Sequence, residues 1–185
     1  MCDAGAPSRS GEDREVFTGL SLRSVKSGDG DFLFRLYAST RQEEMSSWNW
    51  DAQQQAAFLH LQFKAQSLGY SADYPDAAHS LILQDGAPIG RVILNRTEPG
   101  VRLVDISILP EHRNRGVGAA IIRDIIAECV TLGKPLALQV RKVNPAARLY
   151  ARLGFTKAGE DEIYAQMRWE PPSNRSHSVP GALPH

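Results

Sequence analysis

The chain has 185 residues, 42% of them hydrophobic and 23% charged, the composition of an ordinary globular protein with one domain. A domain of this size buries about 70% of its unfolded surface and folds without disulfides or a metal. Its 21 basic and 21 acidic residues cancel, which argues against a general nucleic-acid-binding surface, and no apolar run approaches the roughly 20 residues of a membrane span.

The two cysteines, Cys2 and Cys129, lie far apart without metal-ligand spacing and suggest a reducing compartment. The N-terminus has no apolar signal-peptide core, so the expected location is cytoplasmic. Both ends of the chain are rich in Ser, Gly, Pro and charge. Residues 1–16 and 171–185 are therefore expected as loose tails around a folded domain at 17–170.

In chain order, FTGLSLRSV alternates as a first strand should, and DFLFRLYAST places Leu33, Leu36 and Tyr37 on one helical face. Asp51 is the expected N-cap of a second helix whose apolar stripe is read as Phe58, Leu61 and Ala65. HSLILQDGAPIGRVILNRT reads as a hairpin turning at Asp85-Gly86. VRLVDISIL is a further strand. GVGAAIIRDIIAECVTLG is a helix with Ile121, Ile122, Ile125, Ile126, Cys129 and Val130 on its apolar side and Gly133 as its C-cap. PLALQVRKV follows as strand, NPAARLYARLGF as a short helix and EIYAQMRW as a final strand. The expected class is α/β or α+β, with a mixed, largely antiparallel central sheet.

The stretch PEHRNRGVGAA, residues 110–120, stands between that strand and helix. Gly116 and Gly118 let backbone amides approach a ligand, and the helix behind them presents the positive end of its dipole, which suits an anion. No Lys-Ser or Lys-Thr follows the second glycine, so this is not a P-loop, and the third glycine of the dinucleotide fingerprint is missing. Taken alone, the motif reads equally well as a plain tight helix start.

Downstream, Asn144, Ala147, Leu149, Tyr150, Gly154 and Phe155 form N-x-x-A-x-L-Y-x-x-x-G-F. Together with Arg113-x-x-Gly116-x-Gly118, this block resembles the GNAT superfamily, the Gcn5-related N-acetyltransferases, from about Leu103 to Phe155. The resemblance implies a sheet flanked by about four helices and acetyl-CoA as acetyl donor, with no metal. It makes the amides around Arg113, Asn114, Arg115, Gly116, Val117, Gly118 and Ala119 the pyrophosphate cradle. Ile106 and Ile108 would offer backbone groups to the pantetheine arm and thioester carbonyl, Asn144 would contact the cofactor arm, and Tyr150 would lie near the sulfur as general acid. The implied activity is transfer of acetyl to a primary amine of a small molecule, amino acid derivative or peptide. Dimers are frequent in the family, so a homodimer is an expectation; neither nucleic acid nor membrane is expected as a partner. An acyl-CoA-binding sensor without turnover is the alternative.

Asp105 is the one charged residue within LVDISIL and the first candidate for a base. Relatives often carry Glu in this strand where Val104 stands here, and Asp105 can equally pair with Arg91 or Arg102, or bind the acceptor amine. Between Lys134 and Lys157 there are six basic residues and no Asp or Glu, which suits a polyanionic cofactor; a solvated face is the other reading. Cys129, His60 and His79 are read as a buried apolar-stripe residue, a helix-face residue and a loop residue. Glu44, Trp48 and Trp50 are the expected acceptor-binding residues, within an acidic stretch that would attract a cationic amine; packing of the helix junction is the alternative.

Overall fold

The structure, a computed structural model, describes residues 19–45 and 50–172, with the backbone alone for 42–45. The expected tails lie outside these residues except for Pro171 and Pro172, and Trp48 lies outside them as well. Seven strands form one sheet in the order β1-β2-β3-β4-β5-β7-β6, and every neighbouring pair is antiparallel except β4 with β5. The strands are β1 (Leu20–Ser24), β2 (Ala78–Gln84), β3 (Ala87–Thr97), β4 (Gly100–Ile108), β5 (Leu136–Arg141), β6 (Thr156–Glu160) and β7 (Tyr164–Trp169). The helices are α1 (Gly30–Met45), α2 (Ala52–Asp73), α3 (Val117–Leu132) and α4 (Ala146–Arg152). One strand was expected after α4; the structure has the two-stranded β6-β7 unit. TKAGE carries no alternation to reveal β6, and its burial is that of an exposed edge.

Local chemistry sets the element boundaries. Asp85 (φ 51°) and Gly86 (φ 81°) both take the positive φ that a two-residue hairpin turn requires, joining β2 to β3. At α2, the Asp51 carboxylate accepts from the Gln54 amide at 2.8 Å while the Gln54 side chain accepts from the Asp51 amide at 3.1 Å, a reciprocal capping box. Gly133 closes α3 at φ 63°. The apolar stripe of α2 is rotated from the sequence reading: Leu61 and Ala65 face outward, Leu61 being 68% exposed, while Phe58, Leu59, Gln62, Phe63, Gln66 and Tyr70 turn inward. The inner face mixes polar with aromatic groups, and Tyr37 of α1 donates its hydroxyl proton to Gln62 at 3.0 Å, so hydrophobicity alone pointed to the wrong side.

Two cores flank the sheet. Ile82, Val92, Leu94, Val101, Leu103, Leu136, Leu138 and Val140 join α3 and α4 on one face. Alternation puts Leu81, Arg91 and Ile93 on the other face, where Leu36 and Tyr37 of α1 are buried and Tyr70 of α2 lies over Arg91. Val130 stays at the rim of α3, 46% exposed.

Two irregularities in β4 shape the centre. Ile93 pairs with Asp105 but Leu94 with Leu103, so Val104 is an extra, bulged residue. Without that insertion Asp105 would share the face of Leu103; with it, Asp105 moves to the face of Arg91. In addition, β4 and β5 pair only from Val101↔Leu136 to Leu103↔Leu138, although β4 runs on to Ile108 and β5 to Arg141. The sheet therefore splits beyond the bulge.

Candidate active site

The split opens beside the loop that leads into α3. Leu109 donates its amide to Ile89, and in an antiparallel ladder alternate residues turn to the same neighbour, so Asp105 and Ser107 bond toward β3. The amides of Ile106 and Ile108 then point away from β3, toward the side where β5 pairing has ended. Both side chains pack against the α3 core.

Past Ile108, a single turn of 3-10 helix at Pro110–His112 carries the chain into the loop. Asn114 (φ 56°) and Gly116 (φ 80°) both adopt left-handed conformations. Alternating handedness of this kind turns successive N–H groups into one concavity, an anion nest. Among the described residues, the six consecutive amides from Asn114 to Ala119 find no protein acceptor; the next one, at Ala120, bonds the Gly116 carbonyl at 2.9 Å. No acidic residue lies in the first turn of α3 to neutralise the dipole there. Arg113 donates its Nε–H to the Ile108 carbonyl at 2.8 Å and so fastens the loop to the end of β4. A Cβ at Gly118 would lie 3.5 Å from Ile108 Cδ1 and 3.8 Å from Leu149 Cδ2, so strand, loop and α4 meet there. Free amides, an unopposed helix terminus and backbone open to approach fit a pyrophosphate.

Across the split, α4 carries Tyr150, 6% exposed and set edge-on to Phe155 with ring centroids 5.7 Å apart. Burial, with a smaller contribution from the Asp105 charge, pushes its phenol up to about 12. Its hydroxyl meets no hydrogen-bond partner among the described residues. Asn144 uses Oδ1 to accept from the Ala146 amide at 2.9 Å just before α4, which leaves its amide nitrogen as the available donor.

On the opposite face, Arg91 is 7% exposed and donates Nε–H and Nη2–H to Asp105 Oδ2 at 3.1 and 2.7 Å. The Ser107 hydroxyl lies 3.3 and 3.2 Å from the two carboxylate oxygens. The Tyr70 ring sits 5.7 Å from the Arg91 guanidinium carbon, and burial pushes its phenol up to about 12. Of the two arginine partners that the sequence left open for Asp105, the structure selects Arg91; Arg102 lies over Tyr74 instead, at 5.9 Å. His79, read as a loop residue, is in β2 opposite Ile93, and burial, helped by the Arg91 charge, lowers its pKa. Sequence reasoning passed over Tyr70 and Ser107. The i+2 spacing of Asp105 and Ser107 on one strand was the available signal for Ser107; Tyr70 had none without the true inward face of α2.

The remaining sequence candidates divide. Trp50 is 41% exposed and stands edge-on to Phe58 at 5.2 Å, packing the start of α2. Glu44 lies near the end of α1, where only the backbone is described. Of the acidic stretch, Asp51 is engaged as a helix cap. The basic stretch is partly neutralised from outside its own acid-free window: Lys134 meets Glu98 at 2.7 Å, and Lys142 and Lys157 share Glu160. Cys129 is fully buried, and His60 stacks on Phe34 at 3.7 Å. Among the described residues no cluster of His, Cys, Asp and Glu is gathered as a metal site requires, and no helix is long and apolar enough to cross a membrane.

A split parallel pair beside a helix-terminal nest is the geometry the chain presents here. Residues 37–155 match the Acetyltransferase (GNAT) family, and the chain belongs to it. The PaiA N-acetyltransferase of Thermoplasma acidophilum, solved in complex with coenzyme A, superposes with a TM-score of 0.63 at 14% identity, covering 83% of this chain and 99% of that one. An acetyltransferase from Thermus thermophilus gives 0.60 at 18% identity, covering 83% and 98%. These likenesses show the fold. In sequence, 88 residues are 34% identical to the mycothiol acetyltransferase of Clavibacter michiganensis, covering 46% of this chain. The matched part is 28% of that relative's length.

Proposed function

We propose that the chain is an N-acetyltransferase that moves the acetyl group of acetyl-CoA to a primary amine in a ternary complex. The observation that carries this reading is the run of six unpaired amides, Asn114 to Ala119, at the unopposed N-terminus of α3 beside the β4/β5 split. Those amides would hold the pyrophosphate. The Ile106 and Ile108 amides would align the pantetheine arm and thioester carbonyl, and the side-chain amide of Asn144 would reach the arm. Bound acetyl-CoA supplies a thioester whose carbonyl carbon gains the amine nitrogen and loses sulfur.

The protein then has two protons to manage. An amine with the ordinary lysine pKa near 10.4 is deprotonated at pH 7 for about 4.6 kcal/mol, so a nearby acceptor for its proton lowers the barrier. Asp105 is the carboxylate nearest that role. The Tyr150 phenol stays protonated well above neutral pH and so donates a hydrogen bond that stabilises the departing thiolate, which then takes up the proton released by the amine through solvent. The acceptor is a small amine, amino acid derivative or peptide amine. The likeness of 88 residues to a mycothiol acetyltransferase adds mycothiol-related amines to the first test set. A buried free thiol at Cys129 suits a cytoplasmic setting.

A thiol-release screen tests the reading, with acetyl-CoA as donor and small amines, amino acids, amino sugars and N-terminal peptides as acceptors. Release that depends on one acceptor class, with the acetylated amine as product, is expected. Tight acetyl-CoA binding with no amine-dependent release would replace the enzyme by a binding module.

A further inference from the structure

Of the four arginine–carboxylate pairs among the described residues, Arg168 with Glu170 is local and exposed, while the other three join residues at least six apart in the chain and invite comparison. Arg96 in β3 grips Glu128 in α3 with both oxygens, Nε–H to Oε1 at 2.6 Å and Nη2–H to Oε2 at 2.9 Å. Arg23 grips Asp29 in the same fork, Nη1–H to Oδ2 at 3.0 Å and Nη2–H to Oδ1 at 2.8 Å. Two parallel bonds to two oxygens are the usual forked grip of a guanidinium on a carboxylate. Arg91 differs: both of its donors converge on Oδ2 of Asp105, and the Ser107 hydroxyl is the nearest donor to Oδ1, at 3.3 Å.

An ionised carboxylate has about four acceptor sites, so Oδ1 of Asp105, met among the described residues only by the Ser107 hydroxyl that also lies 3.2 Å from Oδ2, keeps acceptor capacity to spare. The Val104 bulge is what brings Asp105 to this face at all. The Tyr70 ring of α2 lies over the Arg91 guanidinium, 5.7 Å from its carbon.

We propose that Arg91 is a positioning residue for the acceptor: it holds Asp105 by one oxygen so that the other is presented to the incoming amine. This rests on the N-acetyltransferase reading above and adds that the ammonium or amine N–H of the acceptor is received at Asp105 Oδ1. A cationic or neutral amine is therefore preferred where the Arg91 clamp is intact.

The test measures steady-state kinetics with the best amine of the screen, together with acetyl-CoA affinity in the absence of amine, for wild type, Arg91→Met, Arg91→Lys and the control Arg96→Met. Arg91→Met should raise the acceptor KM about tenfold or more while the acetyl-CoA Kd stays within about twofold. Arg91→Lys, which keeps the charge but not the converging donors, should fall between the two. Arg96→Met should lower the melting temperature and leave both constants unchanged. An acceptor KM unmoved in Arg91→Met overturns the proposal, as does an equal loss in acetyl-CoA affinity or the same acceptor effect in Arg96→Met. If Arg91→Met does not fold, Arg91→Lys decides: an acceptor KM raised about threefold or more supports the clamp, and wild-type values refute it. A wild type that releases no thiol with any amine defeats the functional reading itself, whereas an active wild type with indifferent Arg91 variants defeats only this inference.

Discussion

Arg113 donates its Nε–H to the main-chain carbonyl of Ile108 at 2.8 Å, joining the helix-terminal loop to the last residue of β4. That bond connects the two sets of amides proposed to hold one ligand, those of the strand and those of the nest. Arg113→Ala should loosen the loop without disturbing the core, because Arg113 is exposed. A hydrogen bond from a charged donor contributes about 1.5 to 3 kcal/mol, with solvent exposure favouring the low end. The expected outcome is an acetyl-CoA KM raised about 5- to 20-fold with little change in melting temperature.

Gly116 and Gly118 should answer differently to alanine. Gly116 sits at φ 80°, where a side chain costs about 1 to 2 kcal/mol, so Gly116→Ala should lower the melting temperature by roughly 2 to 8 °C and weaken acetyl-CoA binding. At Gly118 the added methyl meets ordinary van der Waals contacts at 3.5 and 3.8 Å. Gly118→Ala should therefore melt as the wild type does and, if it is impaired, lose only ligand affinity. Thermal melts paired with acetyl-CoA titration separate the two effects.

Tyr150→Phe should lower kcat by about 10- to 100-fold with a small effect on the acetyl-CoA KM, since what it removes is a proton donor and not packing. Its pKa is raised from 10.0 to about 12, so below pH 10 both folded and unfolded states carry the proton and no stability is lost. Between pH 10 and 12 the unfolded state releases the proton first, and roughly 2 to 3 kcal/mol is lost as pH rises through that window. Alkaline melts should show this fall, reduced in Tyr150→Phe. Tyr70, raised in the same direction by burial, should add to it.

Asp105→Asn leaves the Arg91 charge without a counter-charge. Breaking a fully buried pair costs about 3 to 5 kcal/mol; with the Asp105 side chain 18% exposed, roughly 1 to 3 kcal/mol is expected, or a melting temperature lower by about 3 to 10 °C. Arg91→Met/Asp105→Leu should recover most of that stability and none of the activity. A double variant that recovers both would remove Asp105 from the chemistry.

Much of the fold was legible because its signals are local. Asp51, Asp85-Gly86 and Gly133 each specify a boundary by their own side chain or backbone freedom, and each stands where the sequence placed it. The nest was legible for the same reason. What was not legible depends on long-range pairing. The Val104 bulge is invisible in VRLVDISIL, yet it decides which face Asp105 occupies and hence that Arg91 is its partner. The inward face of α2 was misjudged because it packs Tyr70, Gln62 and Gln66 inward and leaves Leu61 and Leu68 outside, against the hydrophobic pattern. β6 was missed because an edge strand of TKAGE has no buried face to impose alternation.

Titrating coenzyme A into the 15N-labelled protein and following its amide resonances shows whether one ligand is held by the amides of Asn114 to Ala119 and of Ile106 and Ile108. Shifts concentrated on those eight amides, and weakened together in Gly116→Ala, are the predicted result. Saturable binding that leaves them unmoved while perturbing another part of the chain would place the cofactor elsewhere.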